Sequence, residues 1–207
     1  KSARTTEKMR IVAEGQQLVR VDWDATNLTE QNINQVLKQV SKKITGVDGV
    51  IISDYNKGVC KDVVIKEIIN KAKELHIPIF VDPKGKKWKK YYGASVITPN
   101  LKEAEDALGK MLKSDGDVEI AGMEICNELS LDACLITRGP NGMSYIGKDA
   151  KFHVSSEAKE IYDVSGAGDT VIASFAAGTL VGFDSKSVTR FANKAAGIVV
   201  GHIGTTA

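Results

Sequence analysis

Short, mainly apolar runs recur along this chain with helix-period segments between them, and that alternation limits the folds open to it. Gly49–Ser53, Pro78–Val81, Ala94–Ile97 and Ala133–Thr137 are such runs. None alternates with polar residues as a half-solvated strand does, so each reads as a strand buried on both faces. Between them, Ile33, Val36, Leu37, Val40 and Ile44 fall at helical spacing, as do Val64, Ile65, Ile68, Ile69, Ala72 and Leu75. Helices are also expected over Leu101–Leu108 and Val118–Leu129, and over Ala167–Val181 and Ser185–Gly201. Arg10–Asp22 has extended character. Met143–Ile146 and Lys151–Val154 follow the turn residues Pro140-Asn141-Gly142, which predicts a β-meander. The fold class is therefore α/β, a mostly parallel sheet covered by helices on both faces.

Such sheets bind ligands beyond the carboxyl ends of their strands. Ser53-Asp54, Asp82-Pro83-Lys84, Asn100–Glu103 and Thr137-Arg138-Gly139 each follow a strand run, so all four are expected along one edge. The segment Asp163-Val164-Ser165-Gly166-Ala167-Gly168-Asp169-Thr170 then opens an apolar, small-residue helix. A turn of small residues at a helix start presents unpaired amide groups at the positive end of the helix dipole, a nest for phosphate or a developing oxyanion. Asp169, in the first turn, adds a carboxylate. Anion hole plus proton acceptor is what phosphoryl transfer to an alcohol requires. The same residues also suit a plain glycine-rich turn with an aspartate placed for the helix dipole. There is no G-x-x-x-x-G-K-[ST] loop and no complete G-x-G-x-x-G fingerprint.

Composition narrows the classes of partner. At 207 residues the chain is long enough to bury one core. A formal net charge of +2 gives no reason to expect nucleic acid or a membrane as partner. No apolar run reaches bilayer length, and Lys1-Ser2-Ala3-Arg4 lacks the apolar core of a signal peptide. Cys60, Cys126 and Cys134 lack paired metal-ligand spacing, and His76, His153 and His202 are scattered. A cytoplasmic protein with free thiols is expected.

Asp163–Asp169, with Asn100-Leu101-Lys102-Glu103 upstream after a strand, resembles the signatures of the ribokinase (PfkB) family of carbohydrate kinases. The resemblance implies a ribokinase-like three-layer α/β/α fold with a small β lid. It implies ATP and Mg²⁺ as cofactors, and Asp169 as catalytic base beside an anion hole at Gly166, Ala167 and Gly168. It implies that the N-x-x-E motif, Asn100 to Glu103 with Leu101 and Lys102 between, organises metal and nucleotide, with Asn100 and Glu103 nearest the Mg²⁺. Thr137, Arg138, Asn193 and Gly197 are implied on the nucleotide side. Gly15–Asp22, Ser53–Gly58, Val81–Gly85 and Ile97–Asn100 resemble, within that family, the branch acting on D-glycero-D-manno-heptose 7-phosphate in the ADP-heptose route to bacterial lipopolysaccharide. That branch implies transfer to the anomeric hydroxyl of a sugar phosphate, with Asp54, Lys57 and Lys84 as substrate ligands.

On the same grounds residues 1–24 are expected to be lid strands and 25–207 the nucleotide-binding and catalytic part. The family's glycine-rich, sugar-binding N-terminal portion has no counterpart here, so the sequence is expected to be part of a longer kinase. A homodimer joined through Arg10–Asp22 is expected. Several residues keep a second role open: loop capping for Asp54 and Lys57, surface charge for Lys84, strand capping for Arg138, helix packing for Asn193 and Gly197. Gln17 and Arg20 suit either a sugar contact or a solvated strand face. Two other functions stay open, another sugar kinase of this family and a non-catalytic binding module.

Overall fold

A computed structural model describes residues 6–13, 16–24, 28–157 and 164–202; Asp163 and the side chain of Gln17 lie outside the described residues. Strands β1 (Glu7–Ala13) and β2 (Gln16–Trp23) form an antiparallel ladder of their own, with a register shift between Ile11 and Val12. The body follows as α1 (Glu30–Lys43), β3 (Val50–Ser53), α2 (Asp62–Glu74), β4 (Ile79–Asp82), β5 (Val96–Ile97), α3 (Leu101–Leu108) and α4 (Asp115–Leu129). It continues as β6 (Ala133–Thr137), β7 (Met143–Gly147), β8 (Lys151–Val154), α5 (Ala167–Leu180) and α6 (Ser185–Val200). The sheet runs β3-β4-β5-β6-β7-β8, parallel through β6 and antiparallel over the last two strands. Each expected element is present. Helix α4 begins three residues earlier than expected, at Asp115, because Ser114 accepts from the Asp117 amide in a capping box.

Strand pleating sorts the continuous apolar runs into two layers. Ile79 and Val81 of β4, Ile97 of β5 and Cys134 and Ile136 of β6 pack with Ile65, Ile69, Val118 and Ile125 from α2 and α4. The alternate residues Phe80, Val96, Ala133 and Leu135 pack on Val171, Ile172 and Phe175 of α5 and on Val188 and Ala192 of α6. Both layers are therefore written into the same short segments. Gly178 permits the α5–α6 approach, since a Cβ there would lie 2.6 Å from the Val188 side chain.

The sheet is not closed on its first side. Among the described residues β3 pairs only with β4, and Ile51 is 46% exposed. Helix α1 buries none of its residues fully. A concavity of about 830 Å³ runs along this edge, lined by Val36 and Val40 of α1, Ile51 of β3 and Val64, Ile65 and Ile68 of α2.

Candidate active site

Parallel pairing brings the carboxyl ends of β3, β4, β5 and β6 to one edge, and with them the loops that begin at Asp54, Pro83, Thr98 and Arg138. The start of α5 meets that edge: the Tyr55 hydroxyl lies 2.9 Å from both carboxylate oxygens of Asp169. Helices α1, α3, α4 and α6 each begin with a side chain capping their first amides. Helix α5 begins with Gly166 at φ +81° and no side-chain cap. Its first-turn amides have no intrahelical acceptor, although the Ala167 amide reaches the Val164 carbonyl at 3.3 Å, and a side chain built on Gly168 would meet nothing within 4 Å. An unfilled, positively polarised helix end thus opens beside an exposed carboxylate.

Asp54, expected as a substrate ligand, turns inward. Its carboxylate is buried and accepts from Lys90 Nζ at 2.5 Å, Tyr91 Oη at 2.7 Å and the Asn56 amide at 2.7 Å. The Tyr91 oxygen accepts in turn from the Lys84 amide at 3.2 Å. Burial, and then the hydrogen bond to Asp54, push the Tyr91 phenol well above its ordinary pKa, so it remains a donor. Asp54 is therefore the root of the loops after β3 and β4.

The N-x-x-E motif is a capping box. Asn100 Oδ1 accepts from the Glu103 amide at 2.8 Å, while Glu103 Oε2 accepts from the Asn100 amide at 3.0 Å. Lys84 Nζ donates to the other oxygen, Oε1, at 2.7 Å. That bond to Glu103 is the main reason the Lys84 ammonium is held above its ordinary pKa. Asp82, which ends β4, is pushed up to about 7, by burial first and then by the charges of Glu103 and Asp169. An excess of negative charge gathers there, with Lys84 as a partial counterweight. Such a donor set suits a hard divalent cation, which takes few protein oxygens and keeps its waters. The carboxylates there are Glu103 and Asp82, and the Asn100 oxygen is engaged on the Glu103 amide just as both Glu103 oxygens are engaged on the Asn100 amide and on Lys84.

The other expected residues are placed as follows. Lys57 donates to Asp24 at 2.5 Å and lies 3.8 Å from Asp22, while Arg20 holds Asp22 at 2.7 Å, so Lys57 ties the end of β2 to the loop after β3. Arg138 is held by Asp115 at 2.5 Å and Ser144 at 3.0 Å, with His153 Nδ1 at 3.3 Å. Thr137 ends β6, its amide on the Pro99 carbonyl at 2.9 Å. Lys102 pairs with Asp106 on the surface, and Leu101 packs against the core. Asn193 is buried and donates to the Ser155 carbonyl at 2.8 Å, with Gly197 one turn on along α6. Asp169, Gly166–Gly168, Glu103 and Lys84 thus face the open edge, whereas Asp54, Arg138 and Asn193 are engaged within the protein. Sequence reasoning placed Asp82 on this edge without a role and did not single out Tyr55. Both lie inside short strings that follow strands, and no spacing rule marks them.

A family model described as pfkB family carbohydrate kinase matches residues 1–207. Bifunctional protein HldE of Vibrio parahaemolyticus is 40% identical over 203 residues, which is 98% of this chain and 42% of that protein. Bifunctional protein HldE of Rhodospirillum rubrum is 40% identical over 206 residues, 99% of this chain and again 42% of its own length. The chain therefore spans less than half of these curated relatives. Among solved structures, phosphofructokinase-2 from Escherichia coli in complex with potassium superposes with a TM-score of 0.84 at 21% identity, covering 98% of this chain and 66% of that one. Arabidopsis thaliana ribokinase complexed with ribose and ATP gives 0.71 at 18%, covering 93% and 61%. The fold is ribokinase-like.

Two measurements check the electrostatics of this edge. Asp54→Ala leaves Lys90 without its carboxylate in a poorly hydrated site, and breaking such a pair costs about 3–5 kcal/mol. Urea unfolding should show that loss, and a paired Asp54→Leu, Lys90→Met exchange should recover much of it. For Asp82, the folded chain holds a proton that the unfolded chain has already released between about pH 4 and about pH 7. Stability therefore falls as pH rises through that window. The melting temperature of Asp82→Asn relative to wild type should rise from about pH 4 to about pH 7 and then level off.

Proposed function

Because the chain belongs to the pfkB family of carbohydrate kinases, we propose that it carries the catalytic edge of an ATP-dependent kinase for D-glycero-D-manno-heptose 7-phosphate. The product is the 1,7-bisphosphate, an intermediate of ADP-heptose and lipopolysaccharide biosynthesis. The observation that carries the reading is the uncapped start of α5 with Asp169 in its first turn and open space over Gly168. Asp169 takes the proton of the anomeric hydroxyl as that oxygen attacks the γ-phosphorus. The amides at Gly166–Gly168 face the charge that develops on the transferring group. Glu103 and Asp82 would hold Mg²⁺, which supplies charge neutralisation among the nucleotide phosphates when bound. Lys84, half-exposed beside Glu103, stands within reach of the same charge. The motif strings of β2 and of the loops after β3 and β4 support the heptose phosphate as substrate. The likeness to phosphofructokinase-2 supports a second reading, a fructose phosphate acceptor.

In this proposal residues 1–24 are a lid and 25–207 the nucleotide-binding and catalytic part, with the sugar-binding strands supplied by a further part of the polypeptide. The free edge of β3 and its apolar concavity support that arrangement, since an unpaired strand edge needs a cover. A cytoplasmic location accords with it; among the described residues no helix is long and apolar enough to cross a membrane.

The lid has two unlike faces. Lys8 is paired with Asp22 and Arg10 with Arg20 on the side that meets Tyr55 and Lys57. Met9, Ile11, Val19 and Trp23 share the other side, each 44–46% exposed. An apolar face turned to water is one that a second copy would cover, so the working form is a homodimer joined lid to lid.

ADP release by the full-length protein should be strongest with the heptose 7-phosphate in a panel that includes ribose, fructose and fructose 6-phosphate. Asp169→Asn should lower that turnover by about 10²–10⁴ while ATP binding changes little; turnover near wild type would remove Asp169 as base. Light scattering at micromolar concentration should report a dimer mass, and a clean monomer would overturn the lid pairing.

A further inference from the structure

Among the described residues Tyr55 is the one side chain seated directly on the proposed base, and the kinase chemistry above gives it no task. Its hydroxyl bridges both oxygens of Asp169 at 2.9 Å each. A single hydroxyl donated to that carboxylate is also what the acceptor alcohol must provide. The phenol therefore occupies the place of the reacting hydroxyl. Resting on the kinase reading, the geometry points to Tyr55 as a placeholder: it covers the base while the sugar site is empty, and the sugar hydroxyl displaces it.

Three features separate this from a fixed orienting bond. First, a residue that holds a carboxylate rigid is itself packed, whereas Tyr55 is 48% exposed. Second, its neighbours are the pinned members of the loop: Asp54 is rooted in the interior on Lys90 and Tyr91, and Lys57 is tied to Asp24. Between them, Asn56 takes a left-handed φ of 54°, which fixes the loop's path while the Tyr55 side chain stays at the surface. Third, the Ser53 hydroxyl also adjoins the Tyr55 hydroxyl, while the ring itself meets the lid, where Lys8 Nζ stands 5.0 Å from its centroid. Such a cation–π contact at an exposed site is weak, so the lid can release the ring as it moves.

The placeholder has a chemical purpose. Water is also a hydroxyl donor, and at an uncovered Asp169 it could attack the γ-phosphorus. The new O–P bond would form, the bond to the β,γ-bridging oxygen would break, and Asp169 would take the proton, giving ADP and phosphate with no sugar product. A phenol on both carboxylate oxygens denies water that position. Burial and the bond to Asp169 hold the phenol above its ordinary pKa, so it stays protonated and donating.

The test compares wild type, Tyr55→Phe and Lys8→Met in the full-length protein with Mg·ATP, measuring ADP release without sugar and over a sugar phosphate titration. In Tyr55→Phe, sugar-free ADP release is expected to rise about tenfold and the KM for sugar to fall about tenfold, the scale of one hydrogen bond to a charged group. The kcat should stay within about twofold, because Tyr55 has left the base in the loaded site. Lys8→Met should move the same quantities in the same direction by less. A lower kcat with unchanged KM and unchanged sugar-free release would make Tyr55 an orienting residue and overturn the placeholder. A working kinase indifferent to Tyr55→Phe overturns it equally. Wild-type protein that phosphorylates no sugar in the panel overturns the kinase reading, and the placeholder with it.

Discussion

A buried carboxylate at the end of the first sheet strand organises this edge of the molecule. A charge withdrawn from water is tolerated only when it is paired and hydrogen-bonded. Asp54 meets that condition with three donors, the Lys90 ammonium, the Tyr91 hydroxyl and the Asn56 amide. The Tyr91 hydroxyl passes the connection to the Lys84 amide. Apolar side chains of similar volume could fill the same space. They could not fix the loop after β3 and the loop after β4 relative to one another, because dispersion has no direction and a hydrogen bond does. Tyr55, Lys57 and Lys84 are presented from that base.

The open edge beside it carries the opposite condition. Four helices close their first turns with side chains, whereas α2 and α5 do not, and of these two α5 is the one that starts on this edge, with Asp169 in its first turn. Asp82 is held near neutral pKa by burial and by the charges of Glu103 and Asp169. Glu103 and Lys84 offset each other across 2.7 Å, at a surface where such a pair is readily exchanged for another partner. Polar groups left short of partners next to a rigid scaffold are where binding free energy is available. In the capping box, Asn100 and Glu103 serve local helix structure and the site together, since one Glu103 oxygen closes the helix start while the other meets Lys84.

The β1–β2 hairpin belongs to the same logic. Its polar face reaches the site through Lys8 on Tyr55 and through Asp22 and Asp24 on Lys57, while its apolar face points away. Motion of the hairpin would change the charge pairing at Lys8, Asp22 and Asp24 without a conformational change in the sheet, whose close-packed layers deform little.

Periodicity was enough to identify the parallel strands, the helices between them and the final meander, because a strand buried on both faces must be apolar throughout and a crossover helix must carry one apolar stripe. Order along the chain was enough to place Glu103 and Lys84 on one edge, because parallel strands deliver every following loop to the same side. The inward turn of Asp54 was beyond that reach: it depends on strand parity and on Lys90 and Tyr91, which are 36 and 37 residues away. So was the contact of Tyr55 with Asp169 across 114 residues, and so was the charge crowding at Asp82. Local pattern determines what kind of element a segment forms, since backbone sterics and burial act over a few residues. Which polar groups meet, and which are left without partners, was decided only when the sheet set strands and helix ends from distant parts of the chain side by side.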